Sequence, residues 1–453
     1  MIGALSAAGA LAQTPLPGGA IDVPGPPGAP TPPVSPTVPQ LRAEPFGYFL
    51  ERGQRITDRP RPELDPLGIR AGTFFIYPRI ELDQIYNDNV FASGSDRDDD
   101  FITVISPSFD VKSNWSAHAL NLQAGISAGR YWDNTSENYL DAFVGGDGRY
   151  DITRNLAAFA VARYERLHEE RDSPDNPGFT VGGAAEPVEI DAYTARAGVI
   201  SRGLRIGYQA DVGFRREDYH DVDRVGGGTL DQDARDLNIY LANLRVSYEF
   251  APRYEAFIRG GFNRRLYDED DPGGFSRDSK GFRAHVGATI DLTGVTFAEV
   301  YVGYVLQDYD DSDLGSISGL DFGGRLVWNV TQLTSIAANI DRRVQDSNTV
   351  ALLTGGGSAL SPGYLRTNVG VSVDHELLRN VLITGRVGFQ NDNYENIDRD
   401  DDRIDIGAGI RYSFTRNFYV GGSYTYSHRS SDGDNAGGDF SRNLFLIRLG
   451  AQL

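Results

Sequence analysis

No cysteine occurs in the 453 residues of this chain, and methionine occurs once. The first absence rules out disulfides, thiolate nucleophiles and Cys-based zinc sites. Long apolar runs are missing too. Nothing after residue 15 approaches the roughly 18 unbroken apolar residues that a membrane helix requires, so any membrane role falls to strands. A basic surplus is also lacking: the net charge is −20. A general nucleic-acid binder needs a basic face, and no nucleic-acid partner is expected.

What is present is 53 Gly, 23 Phe and 23 Tyr. That mix suits many short strands joined by glycine-rich turns rather than helices. The N-terminal run "MIGALSAAGALAQ" ends in Ala10-Leu11-Ala12, which fits signal cleavage before Gln13. Residues 1–12 therefore read as a signal-peptide remnant, its usual basic start lying upstream. Residues 13–45 are crowded with proline and cannot bury a core, so they read as a disordered linker. Residues 46–72 read as a periplasmic N-terminal segment with room for one short helix. Pro60, Pro62 and Pro66 forbid a longer one and keep the chain extended up to Gly72.

From residue 73 to 453 the pattern is regular. In "LRIGYQADVGF" (204–214), Leu204, Ile206, Tyr208, Ala210, Val212 and Phe214 alternate with Arg205, Gly207, Gln209, Asp211 and Gly213. "RIDIGAGIRYSF" (403–414) repeats the design. Period two with one apolar face and one charged or glycine face is the strand signature. About 18 such segments run from 73–86 to 440–453, and their spacers alternate. Short ones include "SRG" (201–203) and "APR" (251–253); long ones include 169–189, 220–234, 268–278 and 347–362. Short turns on one side and long loops on the other predict an all-β, single up-and-down antiparallel transmembrane barrel of about 18 strands. An even strand number puts both chain ends on the short-turn, periplasmic side. The strands Phe74 onward also carry Pro78 and Pro107, which delete ladder donors and predict an irregular first hairpin.

The apolar set is almost free of charge, as lipid demands. The opposite set carries Arg205, Arg215, Arg245, Arg259, Arg265, Arg283, Arg325, Arg343, Arg366, Arg386, Arg411 and Arg448, with Asp147, Asp211, Glu255, Asp291, Glu299, Asp321, Asp341, Asp374 and Asp405 among them. These are lumen-lining candidates, either as paired charges bracing a hydrated interior or as a conduit attracting anionic solutes. One motif, Gly-aromatic-x4-Tyr, recurs at Gly213-Phe214 with Tyr219, Gly261-Phe262 with Tyr267, Gly303-Tyr304 with Tyr309, and Gly388-Phe389 with Tyr394. An odd step puts the four tyrosines in the lumen, where they could stack on sugars. A β-bulge would instead return them to an interfacial girdle.

Catalysis has little support. The six histidines are scattered, and only "YHDVD" (219–223) joins one to carboxylates. No enzyme activity, cofactor or metal is expected. The acidic loop clusters, such as Asp96 with Asp98–Asp100 and Asp398 with Asp400–Asp402, lack EF-hand spacing. They read as a solvated rim that meets lipopolysaccharide, with or without bridging divalent ions. The ending Arg448-x-Gly450-x-x-Leu453 resembles the β-signal read by the barrel-assembly machinery, without its terminal Phe.

The stretch Asp65-Pro66-Leu67-Gly68-Ile69-Arg70, with Tyr77-Pro78, Asn87-Asp88-Asn89-Val90-Phe91, Ser106-Pro107 and Trp115-Ser116, resembles an alphaproteobacterial outer-membrane β-barrel family, beta-barrel porin type 2. The resemblance spans about 59–453. It implies an outer-membrane location and, for some relatives, polysaccharide export beside a periplasmic export protein. A general diffusion porin, with 169–189 folded inward, and a structural or adhesive surface barrel with a closed lumen are the other readings.

Overall fold

A computed structural model of the chain describes residues 54–453, apart from 175, 177, 179–182, 272, 348 and 353–357. The signal-peptide remnant, the proline-rich linker and residues 46–53 lie outside the described residues.

Alternation between apolar and polar side chains becomes eighteen strands of 13 to 16 residues. They are β1 (Phe74–Asn87), β2 (Asp100–Ser113), β3 (Ala119–Tyr131), β4 (Tyr139–Asp151), β5 (Leu156–His168) and β6 (Glu189–Arg202). Then come β7 (Ile206–Tyr219), β8 (Leu237–Ala251), β9 (Tyr254–Tyr267), β10 (Ser279–Asp291), β11 (Thr296–Tyr309) and β12 (Ser316–Thr331). The set ends with β13 (Thr334–Asp346), β14 (Gly363–Leu378), β15 (Val381–Tyr394), β16 (Asp400–Ser413), β17 (Phe418–Asp432) and β18 (Phe440–Gln452). Each pairs antiparallel with the next, and β18 pairs with β1 from Arg79↔Gln452 to Asn87↔Leu444. The sheet is a closed barrel, which leaves no long edge open. Eight turns of two to five residues join strands at one end, where Phe74 enters and Gln452 leaves; the other end carries the long loops.

The outer surface is the apolar set. Val212, Ile258, Val286, Val300, Val302 and Ile447 are all exposed. At the long-loop edge of this band, Tyr424, Phe445, Tyr86, Phe101 and Trp132 follow one another around the wall, with neighbouring ring centroids 4.8 to 6.3 Å apart. Phe214 with Tyr240 and Phe262 with Phe282 continue the belt. Beyond it, outward charges pair in water: Arg264 with Asp310 at 2.6 Å and Arg216 with Asp268 at 2.8 Å. The girdle thus includes Phe214 and Phe262, the first aromatics of two of the repeated motifs, and not the motif tyrosines.

The entry to β1 differs from an extended tether. Residues Ile56–Asp58 form a 3-10 turn, and Arg61–Asp65 form another in which the Leu64 and Asp65 N–H groups donate to the Arg61 carbonyl. Proline blocks a long helix but not a succession of tight turns. Gly68 (φ +71°) and Gly72 (φ +64°) bracket a three-residue strand, Ile69–Ala71, that pairs with Phe74–Ile76. It covers the start of β1 where β18 has ended. Pro78 lies one residue beyond that last β18 pair, so its missing donor costs little. The first hairpin, β1–β2, pairs without a break from Phe74↔Ser113 to Asn87↔Asp100, so the irregularity expected there is absent; the β2–β3 ladder lacks pairs at Ser106 and Pro107 but resumes in the same register.

Candidate functional site in the barrel interior

Period two sends every second side chain inward, and the inward set is polar. Arginine and carboxylate meet there across adjacent strands, because neighbouring inward positions lie within side-chain reach. Arg196 on β6 makes a bidentate pair with Asp211 on β7 at 2.9 and 2.6 Å, and Asn243 on β8 donates to the same carboxylate. Arg366 on β14 grips Asp392 on β15 through two 2.7 Å bonds. Arg448 grips Asp83 across the β18–β1 closure. Buried ions of this kind need full pairing, since an unpaired charge away from water is costly.

Inward glycines set how far these groups protrude. Gly129 faces Tyr139, Gly198 faces Phe159, Gly287 faces Phe257, Gly323 faces Tyr301 and Gly450 faces Tyr419 in register. In each case the ring lies where a glycine Cβ would otherwise be. Gly261 opposite Arg283 and Gly407 opposite Arg386 receive guanidinium stems in the same way. These large side chains therefore lie along the wall, over the facing glycines. Eighteen strands leave room for an aqueous channel.

The lumen candidates separate into three groups. Arg215, Arg245 and Arg366 are buried: Arg215 donates to Glu217 at 2.6 Å and Thr194 at 3.0 Å, and Arg245 reaches Glu299 at 3.2 Å and Glu255 at 3.3 Å. Arg259, Arg283, Arg386 and Arg411 are half-buried on the inward face; Arg259 meets Glu299, Arg386 donates to Thr425, and Arg411 lies 3.7 Å from the Tyr419 ring centroid. Two inward-facing charges of the described barrel strands are exposed, Arg325 within β12 and Arg202 at the short-turn end of β6. The exposure of Arg325 requires water-accessible space beside β12. Arg205 lies elsewhere: it sits exposed in the 203–205 turn before β7, because the chain must reverse there. It is not a wall residue.

All four motif tyrosines point inward, with no bulge in their strands near them. They do not form an open sugar-stacking ring. Tyr219, Tyr309 and Tyr394 are at most 7% exposed, and loops cover them. Arg235 lies 4.2 Å over the Tyr219 ring, Arg277 4.3 Å over Tyr267 and Arg399 4.5 Å over Tyr394. Tyr309 donates to the Pro362 carbonyl at 3.0 Å. Tyr219 packs with Ala184, Val188 and Val222 from two loops, and Tyr309 packs with Leu314 and Leu360 from two others.

The loop after β5 reaches farthest across. Arg171 pairs bidentately with Glu137 at 2.8 and 2.7 Å, and Arg235 grips Glu169. Asp172 reaches past β1, lying 2.7 Å from Arg442 on β18 and 2.9 Å from Arg403 on β16. Burial would raise this carboxyl, but Arg442, Arg403 and Arg429 outweigh it and hold Asp172 well below the usual carboxylate range. Residues 169–173 thus fold inward as a brace within the long-loop mouth. Sequence reasoning singled out this loop but not Asp172, Arg403 or Arg442; the inward parity of the two arginines was the available signal.

Single members of three acidic loop clusters are tied to arginines, Asp401 to Arg399 at 2.6 Å, and Asp310 and Asp268 as above, while Asp100 accepts from the Trp132, Asp133 and Asn134 N–H groups. Among the described residues one carboxylate group has the spacing to share a cation, Asp221 with Asp231 and Asp233, all exposed. In the "YHDVD" stretch, His220 meets Asp191 at 3.1 Å while Tyr219 is packed away.

At the short-turn end the inward face carries a different occupant. Ile56 is buried, its N–H donating to Ser335 at 2.8 Å. Arg55 meets Asp374 and Arg61 meets Glu376, both at 3.4 Å. The segment before β1 therefore lies against the inner rim of β12 to β14.

Among solved structures, the chain is similar to the outer membrane protein opdK from Pseudomonas aeruginosa, at 13% identity and TM-score 0.43, over 83% of this chain and 99% of that one. It is also similar to the siderophore receptor PirA from Acinetobacter baumannii, at 7% identity and TM-score 0.46, over 83% and 80%. No curated protein matches it. The family model described as "Putative beta-barrel porin 2" matches residues 61–453. A closed outer-membrane barrel with a polar, arginine-rich interior is what such a porin requires, and the chain belongs to this family.

Proposed function

We propose that this barrel is an outer-membrane channel for polar, preferentially anionic solutes, with its short turns and both chain ends in the periplasm. The observation that carries the reading is Arg325, exposed on the inward face between walls of paired charge. A guanidinium facing water inside a low-dielectric wall attracts anions more strongly than one in bulk solvent. The brace at Asp172 narrows the long-loop mouth and favours small solutes over unrestricted passage. Acidic loops meet lipopolysaccharide outside, and the barrel-assembly machinery inserts the chain. No catalytic step belongs to this reading.

A second reading is export of surface polysaccharide with a periplasmic export protein. The occupied short-turn mouth favours it, since a periplasmic component would meet the barrel there. Planar-bilayer recording tests the first reading: steady conductance with anion selectivity is expected, and Arg325→Glu should move the reversal potential toward cations. An unchanged reversal potential would count against it. Loss of secreted polysaccharide on gene deletion, without loss of small-solute uptake, would select the second reading.

A further inference from the structure

We infer that residues 54–66 are a releasable latch across the short-turn mouth, and that this latch sets whether the channel conducts. The inference rests on the channel reading and deepens it.

The latch is held at several points on the inner rim. The Asn329 side chain on β12 donates to the Gln54 carbonyl at 3.0 Å, and Arg59 donates to the Gln332 carbonyl at 2.8 Å. Arg55 and Arg61 pair with Asp374 and Glu376, inward carboxylates of β14. Arg379, in the β14–β15 turn, reaches back to Glu63, and Arg416, in the β16–β17 turn, donates to the Pro62 carbonyl. The segment then leaves at Ile69–Ala71 on β1. It covers the sector of the mouth from β12 to β18.

Three features make it a latch rather than part of the wall. It adds no strand to the β12–β18 rim, so its removal breaks no ladder there. Its anchors are mostly ion pairs and single side-chain bonds around one buried apolar residue, Ile56. A cavity of about 230 Å³ separates Arg61, Leu64 and Asp65 from Arg379, Leu382 and Arg411, so the fit is loose where a wall would be close-packed. The exposed Arg379–Glu63 pair weakens with salt, and the buried Arg55 and Arg61 pairs are lost when Asp374 and Glu376 are neutralised. The hinge is Gly68, whose positive φ bends the chain just before the paired strand Ile69–Ala71.

The test compares three forms of the full barrel in planar bilayers, each checked for folding by heat-dependent gel mobility. Wild type should switch between a low and a high conductance. A variant lacking 54–66 should stay high. Ile56→Cys with Ser335→Cys, the only cysteines in the chain, should stay low when oxidised and switch again when reduced. Trypsin cleavage after Arg55, which precedes Ile56 and pairs with Asp374, should quicken several-fold in Asp374→Asn/Glu376→Gln. If the deletion and the oxidised pair both conduct like wild type, the latch is overturned and the channel reading stands. If no form conducts, the deletion included, both fall.

Discussion

Arg448 and Asp83 are 365 residues apart in sequence and joined by two 2.6 Å hydrogen bonds at the barrel closure. Both are buried, and Arg448 also meets Glu81 at 3.0 Å. Nothing local brings them together; they meet because β18 lies beside β1. Removing one partner strands the other charge inside the wall, which costs about 3–5 kcal/mol. Arg448→Ala should lower the urea midpoint of the detergent-folded barrel accordingly. Removing all three charges with Arg448→Met/Asp83→Leu/Glu81→Gln should recover most of the loss. A midpoint unchanged in the single variant would show that the pair does not hold the closure.

Asp172 braces the long-loop mouth through Arg442 and Arg403. Asp172→Asn keeps the shape and removes the charge, so the brace should loosen, with larger or noisier single-channel conductance. The wild-type carboxyl is depressed. Its stabilisation is complete above the unfolded value of about 4 and is lost as pH falls from there through the lower folded value. Conductance noise from this loop should therefore be flat from pH 7 to 5. A rise in that interval would assign the brace to other groups.

Asp236 behaves in the opposite sense. Burial, opposed by the Tyr219 N–H and reinforced by Asp218, pushes its carboxyl up to about 7. The folded loop holds a proton that the unfolded chain releases near pH 4, so the stabilisation is greatest below that value and is lost as pH rises to about 7. Amide exchange across 220–236 should be slower at pH 5 than at pH 8 after correction for intrinsic rates. Asp236→Asn should abolish the difference.

Gly287 lies opposite Phe257, whose ring occupies the space of a Cβ. Gly287→Val should push the ring off the wall. Overpacking of this kind costs about 1–3 kcal/mol, and the displaced ring should also narrow the channel. The same change at Gly385, outward and with open space around it, should leave conductance unaltered. Equal conductance at both sites would mean the inward glycines do not set the bore.

Alternation in sequence was enough to number the strands and sort the faces. Val300 and Val302 had to meet lipid, and Arg366 and Asp374 had to face inward, because successive side chains on a strand point oppositely. Turn spacing likewise separated the short-turn end from the long-loop end. Arg205 was misplaced for a related reason: the apolar pattern of 204–214 continues into a turn, and periodicity does not mark where the ladder begins.

What alternation leaves open is which inward group each side chain meets. Tyr219 and Tyr394 had the right parity for a lumenal ring, yet Arg235 and Arg399 from the loops lie over them. The pairing of Asp172 with Arg403, the seating of Ile56 against Ser335 and the union of Arg448 with Asp83 all join distant parts of the chain. By itself the sequence determined a barrel, its approximate strand number and the chemistry of its two faces, since these follow from local period and turn length. Only the tertiary structure decided closure, brace and latch, because each depends on residues that become neighbours after the ring has formed.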